Sequence, residues 1–297
     1  MNYVPTIIIV VAMVGCYVII DAVLPLYGLW FHTASLGLWT TLPSHLLFPG
    51  WRLTPTLFGP SNGIAPPLAL SWETTGLFLL AIILVFLCYL FALRLLPAHV
   101  SIRFVMLSTA LLGLVLLFAP VVLSQDIYSY IIYARMQVLY HLNPLITSPI
   151  TIIHDTTYAH LYWTNQPSAY GPTWIALTSL LQWVTTPFST ASLTPMMLSL
   201  RALALLAHLG STLLLWSLTG KLQHLNGYKN NHQRVLEVLA FAWNPLLLFE
   251  AGVNGHNDIV MLFFVLLALW CLLRFTHRAG WSSTVEYGLA AFIFALA

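Results

Sequence analysis

The sequence predicts an all-α fold, a polytopic transmembrane helical bundle with an amphipathic juxtamembrane helix on its outer face. Three observations predict it. Apolar residues make up 60% of the 297 and charged residues 6%, with a mean hydropathy of +0.88; soluble domains carry about a quarter charged residues, so the bilayer is the solvent this chain is built for. The apolar residues gather in runs of membrane length. Lysine and arginine fall mostly at one set of run ends, as the positive-inside bias requires. A net charge of +2 gives no reason to expect a nucleic-acid partner. Cys16, Cys88 and Cys271 all lie inside apolar runs without metal-ligand spacing and read as inert buried thiols.

The first run, 5–30, has no basic leader and no small-residue cleavage site, so it reads as a retained anchor. Residues 31–70, with Pro43, Pro49, Pro55, Pro60, Pro66 and Pro67, read as irregular outer backbone. Further runs cover 72–96, 102–123, 195–219, 235–250 and 258–275, and another starts at 287. That last run stops at Ala297, inside an apolar segment, which reads as a C-terminal truncation of a single domain spanning 1–297. The shorter run 171–187 has Pro172 and Pro187 at its ends. If it does not cross, Arg94, Arg103, Lys221, Lys229, Arg234, Arg274 and Arg278 share one side, and only Arg52 and Arg135 fall on the other. This arrangement puts Asp126, the loop 142–170 and the Asn254–Asp258 turn together on the outer face.

The chain holds only eight carboxylates, and two of them sit at span ends in polar surroundings. An Asp at mid-bilayer costs roughly 2.5–3.5 kcal/mol on insertion scales, so ionisable groups near a membrane are functional candidates. Residues 126–141 form the predicted amphipathic helix, with Asp126, Tyr130, Tyr133 and Gln137 on one face and Ile127, Ile131, Ala134, Val138 and Leu139 on the other. An aromatic and polar face beside a carboxylate suits a sugar. Arg135 projects from the apolar side, toward lipid headgroups or a lipid-linked phosphate. Asn143-Pro144 ends the helix, and Tyr170-Gly171-Pro172 opens the next one with proline in its first turn.

Asn244-Pro245 interrupts a span shortly before Glu250. Glu250, Asn254 and Asp258 follow at intervals of four, but Gly252 and Gly255 favour a turn that also presents His256 and Asn257. A divalent metal on Asp258, His256 and Glu250 is compatible with these residue types, but their spacing is not diagnostic, and no cofactor is assigned. Asp21 and Arg201, each inside a span, are expected to pair. No phosphate loop, G-x-S-x-G, H-E-x-x-H or C-x-x-C occurs.

The ordered series Ser124-Gln125-Asp126-Ile127-Tyr128-Ser129-Tyr130, Asn143-Pro144, Tyr170-Gly171-Pro172, Asn244-Pro245-Leu246-Leu247-Leu248 and Gly255-His256-Asn257-Asp258-Ile259-Val260-Met261 resembles the GT-C superfamily of membrane glycosyltransferases. Within it, the series is similar to the bacterial polyprenol-phosphate-mannose-dependent alpha-1,6-mannopyranosyltransferases, over about residues 100–275. The resemblance implies a multi-pass protein of a bacterial plasma membrane with its site on the extracytoplasmic side. It implies transfer of a hexose, mannose by the match, from a polyprenyl-phosphate donor to a glycan or glycolipid acceptor. Asp126 then takes the part of the catalytic carboxylate, as general base or metal ligand. Tyr130, Tyr133, Arg135, Tyr170, Asn254, His256, Asn257 and Asp258 are the expected substrate contacts. The competing readings are a transporter or lipid flippase with intramembrane carboxylates, and a non-catalytic membrane subunit. Against transport, the acidic groups lie at span ends rather than at the midplane, and no inverted repeat is present.

Overall fold

The computed structural model describes residues 4–23, 72–95, 100–117, 119, 121, 124–190, 192–227, 229–275 and 281–296. The proline-rich stretch 31–70 and Arg278 lie outside the described residues. Those described form helices and short turns, with no strand among them. In chain order the helices are α1 (Val4–Val23), α2 (Trp72–Leu95), α3 (Ile102–Leu116), α4 (Asp126–Val138), α5 (Pro172–Thr185), α6 (Thr194–Leu225), α7 (Asn231–Ala242), α8 (Pro245–Phe249), α9 (Asn257–Phe275) and α10 (Trp281–Leu296). A π-helical turn, Glu250–Asn254, joins α8 to α9, and two 3-10 turns, Pro149–Ile152 and Tyr158–His160, shape the loop after α4.

Local chemistry accounts for the boundaries. Ser101 accepts the Phe104 N–H at 3.3 Å and starts α3, and Asn230 does the same for α7 through the Gln233 N–H at 3.0 Å. Asn244 accepts the Leu246 N–H at 3.0 Å, and Pro245 follows in the first turn of α8. Because proline cannot continue the helix of α7, the pair is bent by 43°. Helices α1, α2 and α6 are each long and apolar enough to cross a membrane, and the bent α7–α8 pair supplies a fourth span if counted as one. Helix α6 has 32 residues, about 48 Å, well beyond the ~30 Å hydrocarbon layer. Helix α5 has 14 residues, about 21 Å, too short to cross.

Three ends converge. The π turn packs on the C-terminal end of α3: a Cβ added at Gly252 would stand 2.8 Å from Leu116 Cβ and 3.2 Å from the Gly113 carbonyl oxygen. Only glycine permits that approach. Near the start of α6, Arg201 donates from Nη1 to the Leu117 and Ala119 carbonyls at 2.9 and 2.7 Å. These bonds tie the segment that leads into Asp126. Arg103, Lys221, Arg234 and Arg274 all belong to the opposite ends of α3, α6, α7 and α9.

Two interior layers hold the bundle. Met13, Tyr17 and Ile20 of α1 pack with Val85, Leu112, Leu116, Leu239 and Trp243. The Trp243 indole donates to Ser108 Oγ at 3.1 Å, so its polar edge is satisfied at depth. The second layer lies under the end that carries Asp126, where Ile127, Ile131 and Ala134 of α4 meet Trp174, Leu200, Ala204, Ala251 and Val260.

Two expectations are corrected here. Helix α4 forms at the predicted place, but it ends at Val138 and is not a surface helix: Ile127 through Met136 are all buried. Its apolar side faces α5 and α6 instead of lipid, because α5 and the loop after α4 cover what a lone amphipathic helix would expose. Asp21 and Arg201 are both fully buried, yet they form no direct ion pair; Arg201 spends its nearest donor on the two carbonyls.

Candidate functional site

Asp126 opens α4. Its backbone N–H is bonded to Ser124 Oγ at 3.1 Å, so Ser124 holds the turn and the carboxylate is left to face outward, with 38% of its side chain exposed. The second aspartate turn arrives from α9. The π turn ends where Gly255 adopts a left-handed conformation, φ 60° and ψ 37°, and the His256 N–H closes the turn on the Glu250 carbonyl at 3.0 Å. A wide turn followed by a left-handed glycine reverses the chain within two residues and aims His256 back at α4.

The imidazole therefore lies among three carboxylates. His256 Nε2 is 3.5 Å from Glu250 Oε2 and 4.0 Å from Asp126 Oδ2, and Nδ1 is 4.0 Å from Asp258 Oδ2. Asn254 is buried and donates from Nδ2 to Glu250 Oε2 at 3.0 Å. Asp258 is the most open of the group, with 71% of its side chain exposed. Among the described residues, no group of three or more His, Cys, Asp or Glu side chains is arranged to hold a metal ion.

Aromatic rings wall the other side. Tyr130 donates its hydroxyl to Asn257 Oδ1 at 3.0 Å, a bond that joins α4 directly to the start of α9. Its ring meets Tyr170 and Trp174 edge-on, with centroids 4.8 and 5.0 Å away. Burial first, and then the negative charge of Asp126, push the Tyr170 phenol upward, and burial does the same to Tyr130. Both rings therefore stay neutral and present O–H groups beside the carboxylate. Tyr133 contacts Tyr170 edge-on at 6.3 Å but donates away from the site, to the Gln166 carbonyl at 3.2 Å.

Of the expected contacts, the fold brings together Asp126, Tyr130, Tyr170, Asn254, His256, Asn257 and Asp258. Arg135 is elsewhere. It stands nine residues along α4 from Asp126, about 13 Å, and is buried in an ion pair with Asp155. Nε reaches both carboxylate oxygens at 3.0 and 2.8 Å, Nη2 lies 2.8 Å from Oδ2, and Nη1 donates to the Thr190 carbonyl at 2.9 Å. The headgroup-facing arginine read from the sequence is thus an internal clamp. Asp155 neutralises the arginine at that end of the bundle. Glu250 joins the site though it was not among the expected contacts. Its spacing to Asn254 and Asp258 was the available signal, and the π turn is what made that spacing converge.

A family model described as the alpha-(1->6)-mannopyranosyltransferase N-terminal domain matches residues 62–297. No curated protein and no solved structure matches the chain. The family match spans every residue of the cluster just described, from Asp126 to Asp258, and it agrees with the resemblance carried by the ordered series of motifs. The chain belongs to the alpha-(1->6)-mannopyranosyltransferase family and is a glycosyltransferase.

Proposed function

We propose that this enzyme transfers mannose from a polyprenyl phosphate to a hydroxyl of a glycolipid or polysaccharide on the extracytoplasmic side of a bacterial plasma membrane, with Asp126 as general base. The observation that best supports this reading is the meeting of the two aspartate turns, with Asp126 Oδ2 and His256 Nε2 4.0 Å apart although 130 residues separate them in sequence. In the reaction, the acceptor oxygen bonds to the anomeric carbon and its proton passes to Asp126. The anomeric carbon–oxygen bond to phosphate breaks, and the polyprenyl phosphate departs with the electron pair. Phosphate is a stable leaving anion, so the site needs no strong acid. His256, when protonated, supplies the positive charge beside that phosphate, since Arg135 is consumed by Asp155. The neutral phenols of Tyr130 and Tyr170 and the Asn257 amide suit sugar hydroxyls, and the basic far ends of the spans support an outward-facing site.

A positioned base contributes typically about 10²–10⁴-fold. Asp126→Asn, nearly isosteric, is expected to lose that factor in membranes given labelled polyprenol-phosphate-mannose and a glycolipid acceptor, while the protein stays folded. Full activity in that variant would remove Asp126 from the role. Transfer from a sugar nucleotide but not from the lipid phosphate would overturn the donor.

A further inference from the structure

Two grooves flank the first turn of α5, and both are bordered by Pro172. One, of about 270 Å³, lies toward α9, and Trp174, Leu177, Val260, Met261 and Phe264 give it an apolar wall that begins at Asn257. The other, of about 540 Å³, lies at the far end of α4, and its polar lining is Gln137, His141 and Asn143 over an apolar floor that includes Leu142 and Ile175. Their chemistry differs in kind. The first matches a hydrocarbon that starts beside the reacting centre. The second offers two amides and an imidazole with no charged side chain in its lining, which matches a neutral, hydroxyl-rich ligand with apolar ring faces and disfavours an anion.

His141 adds a separate observation. It has φ 55°, the one described non-glycine residue with positive φ. It occupies the capping position after α4, where the Leu142 N–H returns to the Met136 carbonyl at 2.9 Å. Glycine is the usual residue at such a cap, since it adopts the left-handed conformation without steric cost. The backbone thus explains the conformation, but not why a ring stands there. The ring lines the groove.

The groove is also on the route to the site. Gln137 and Asp126 lie on one helix, eleven residues and about 16 Å apart, and the surface between the grooves passes over exposed Gly171 and Pro172. A ligand that fills the groove and still reaches Asp126 must be longer than one sugar. We propose that the Gln137–His141–Asn143 groove is an acceptor subsite for a neutral oligosaccharide, which holds the chain some distance behind the hydroxyl presented to Asp126. The inference rests on the transfer reading above for its role, but not for its ligand.

Two variants and two readouts test it. His141→Gly keeps the backbone conformation and removes the ring. Asn143→Asp keeps the oxygen that accepts the Leu145 N–H at 3.0 Å and removes the amide donor. The solubilised full chain is titrated with free mannotetraose and with methyl mannoside. The expected result is that each variant weakens mannotetraose binding by about tenfold, the scale of one or two lost hydrogen bonds. Methyl mannoside binding is expected to stay the same, and His141→Gly should unfold at an equal or higher temperature. In transfer assays the same variants are expected to raise KM for a long acceptor about tenfold, with kcat and donor KM unchanged. Mannotetraose binding within about twofold of the parent in both variants, or no mannotetraose binding by the parent, overturns the subsite. If the parent binds mannotetraose through these residues yet transfers nothing from polyprenol-phosphate-mannose, the transfer reading fails and the subsite stands.

Discussion

Two charge clusters are anchored about 13 Å apart on α4, one at Asp126 and one at Arg135, and they are built in opposite ways. Arg135 and Asp155 are closed: the side chains are 6% and 0% exposed, their contacts are 2.8–3.0 Å, and Tyr140 and the Thr157 N–H fill the remaining carboxylate sites at 2.9 and 2.8 Å. Asp126, Glu250, His256 and Asp258 are open: their separations are 3.5–4.0 Å and every one is partly exposed. A saturated buried pair has no capacity left for a substrate. A loose, partly exposed cluster contributes little to stability and leaves its polar atoms open to a ligand. In the proposed function the same residue types serve cohesion in one place and chemistry in the other, and what separates them is saturation.

The comparison breaks most sharply if the two clusters respond alike to substitution. Removing one partner of a buried pair strands the other charge, at about 3–5 kcal/mol, so Arg135→Met is expected to lower stability by that amount in denaturant unfolding of the solubilised protein. Adding Asp155→Leu should restore most of it, and a double variant no more stable than the single one would deny the pair its closed character. At the open cluster, Glu250→Gln is expected to leave unfolding within about 0.5 kcal/mol while lowering transfer about tenfold, because Glu250 faces the imidazole without being the base. If Glu250→Gln instead costs as much as Asp126→Asn, the base has been assigned to the wrong carboxylate.

Smaller effects sharpen the picture. Gly255→Ala places a Cβ in a left-handed turn, at about 1–2 kcal/mol, and is expected to raise donor KM by moving His256; an unchanged KM would show the turn is not what aims it. Tyr130→Phe deletes the bond to Asn257, with an expected loss of about 1 kcal/mol and a weakened sugar contact, read as a rise in KM.

The smallest expected effect is on acid stability. Burial alone would raise the Asp155 carboxyl, but the hydrogen bonds from Arg135 and the Thr157 N–H, with the Arg135 charge and Tyr140, outweigh it and hold the group below the usual range. Its stabilisation is therefore present above the unfolded value near 3.9 and is lost as pH falls through the lower folded value. Thermal unfolding between about pH 5 and pH 2 should show a decline that Asp155→Asn, already destabilised, does not share.

Composition and spacing determined a good deal by themselves. Runs of apolar residues named the spans, because a bilayer tolerates only helices whose backbone is internally bonded. Asn244-Pro245 and Gly171-Pro172 fixed a bend and a helix start, because proline acts through its own ring. The distribution of Arg103, Lys221, Arg234 and Arg274 put one set of ends together, and so grouped Asp126 and His256 at the other. What the sequence could not settle was the surroundings of each side chain. A helical wheel gives Arg135 a direction but not a neighbour, and Asp155 lies 20 residues on, beyond two prolines and a 3-10 turn. It likewise offered Asp21 to Arg201 by elimination, whereas the loop carbonyls at Leu117 and Ala119 were nearer. Local propensities depend on a residue and its few neighbours, so they are written in the chain. Saturation, pairing and the closure of a pocket depend on which distant segment arrives first at hydrogen-bonding range, and only the packed tertiary structure decides that.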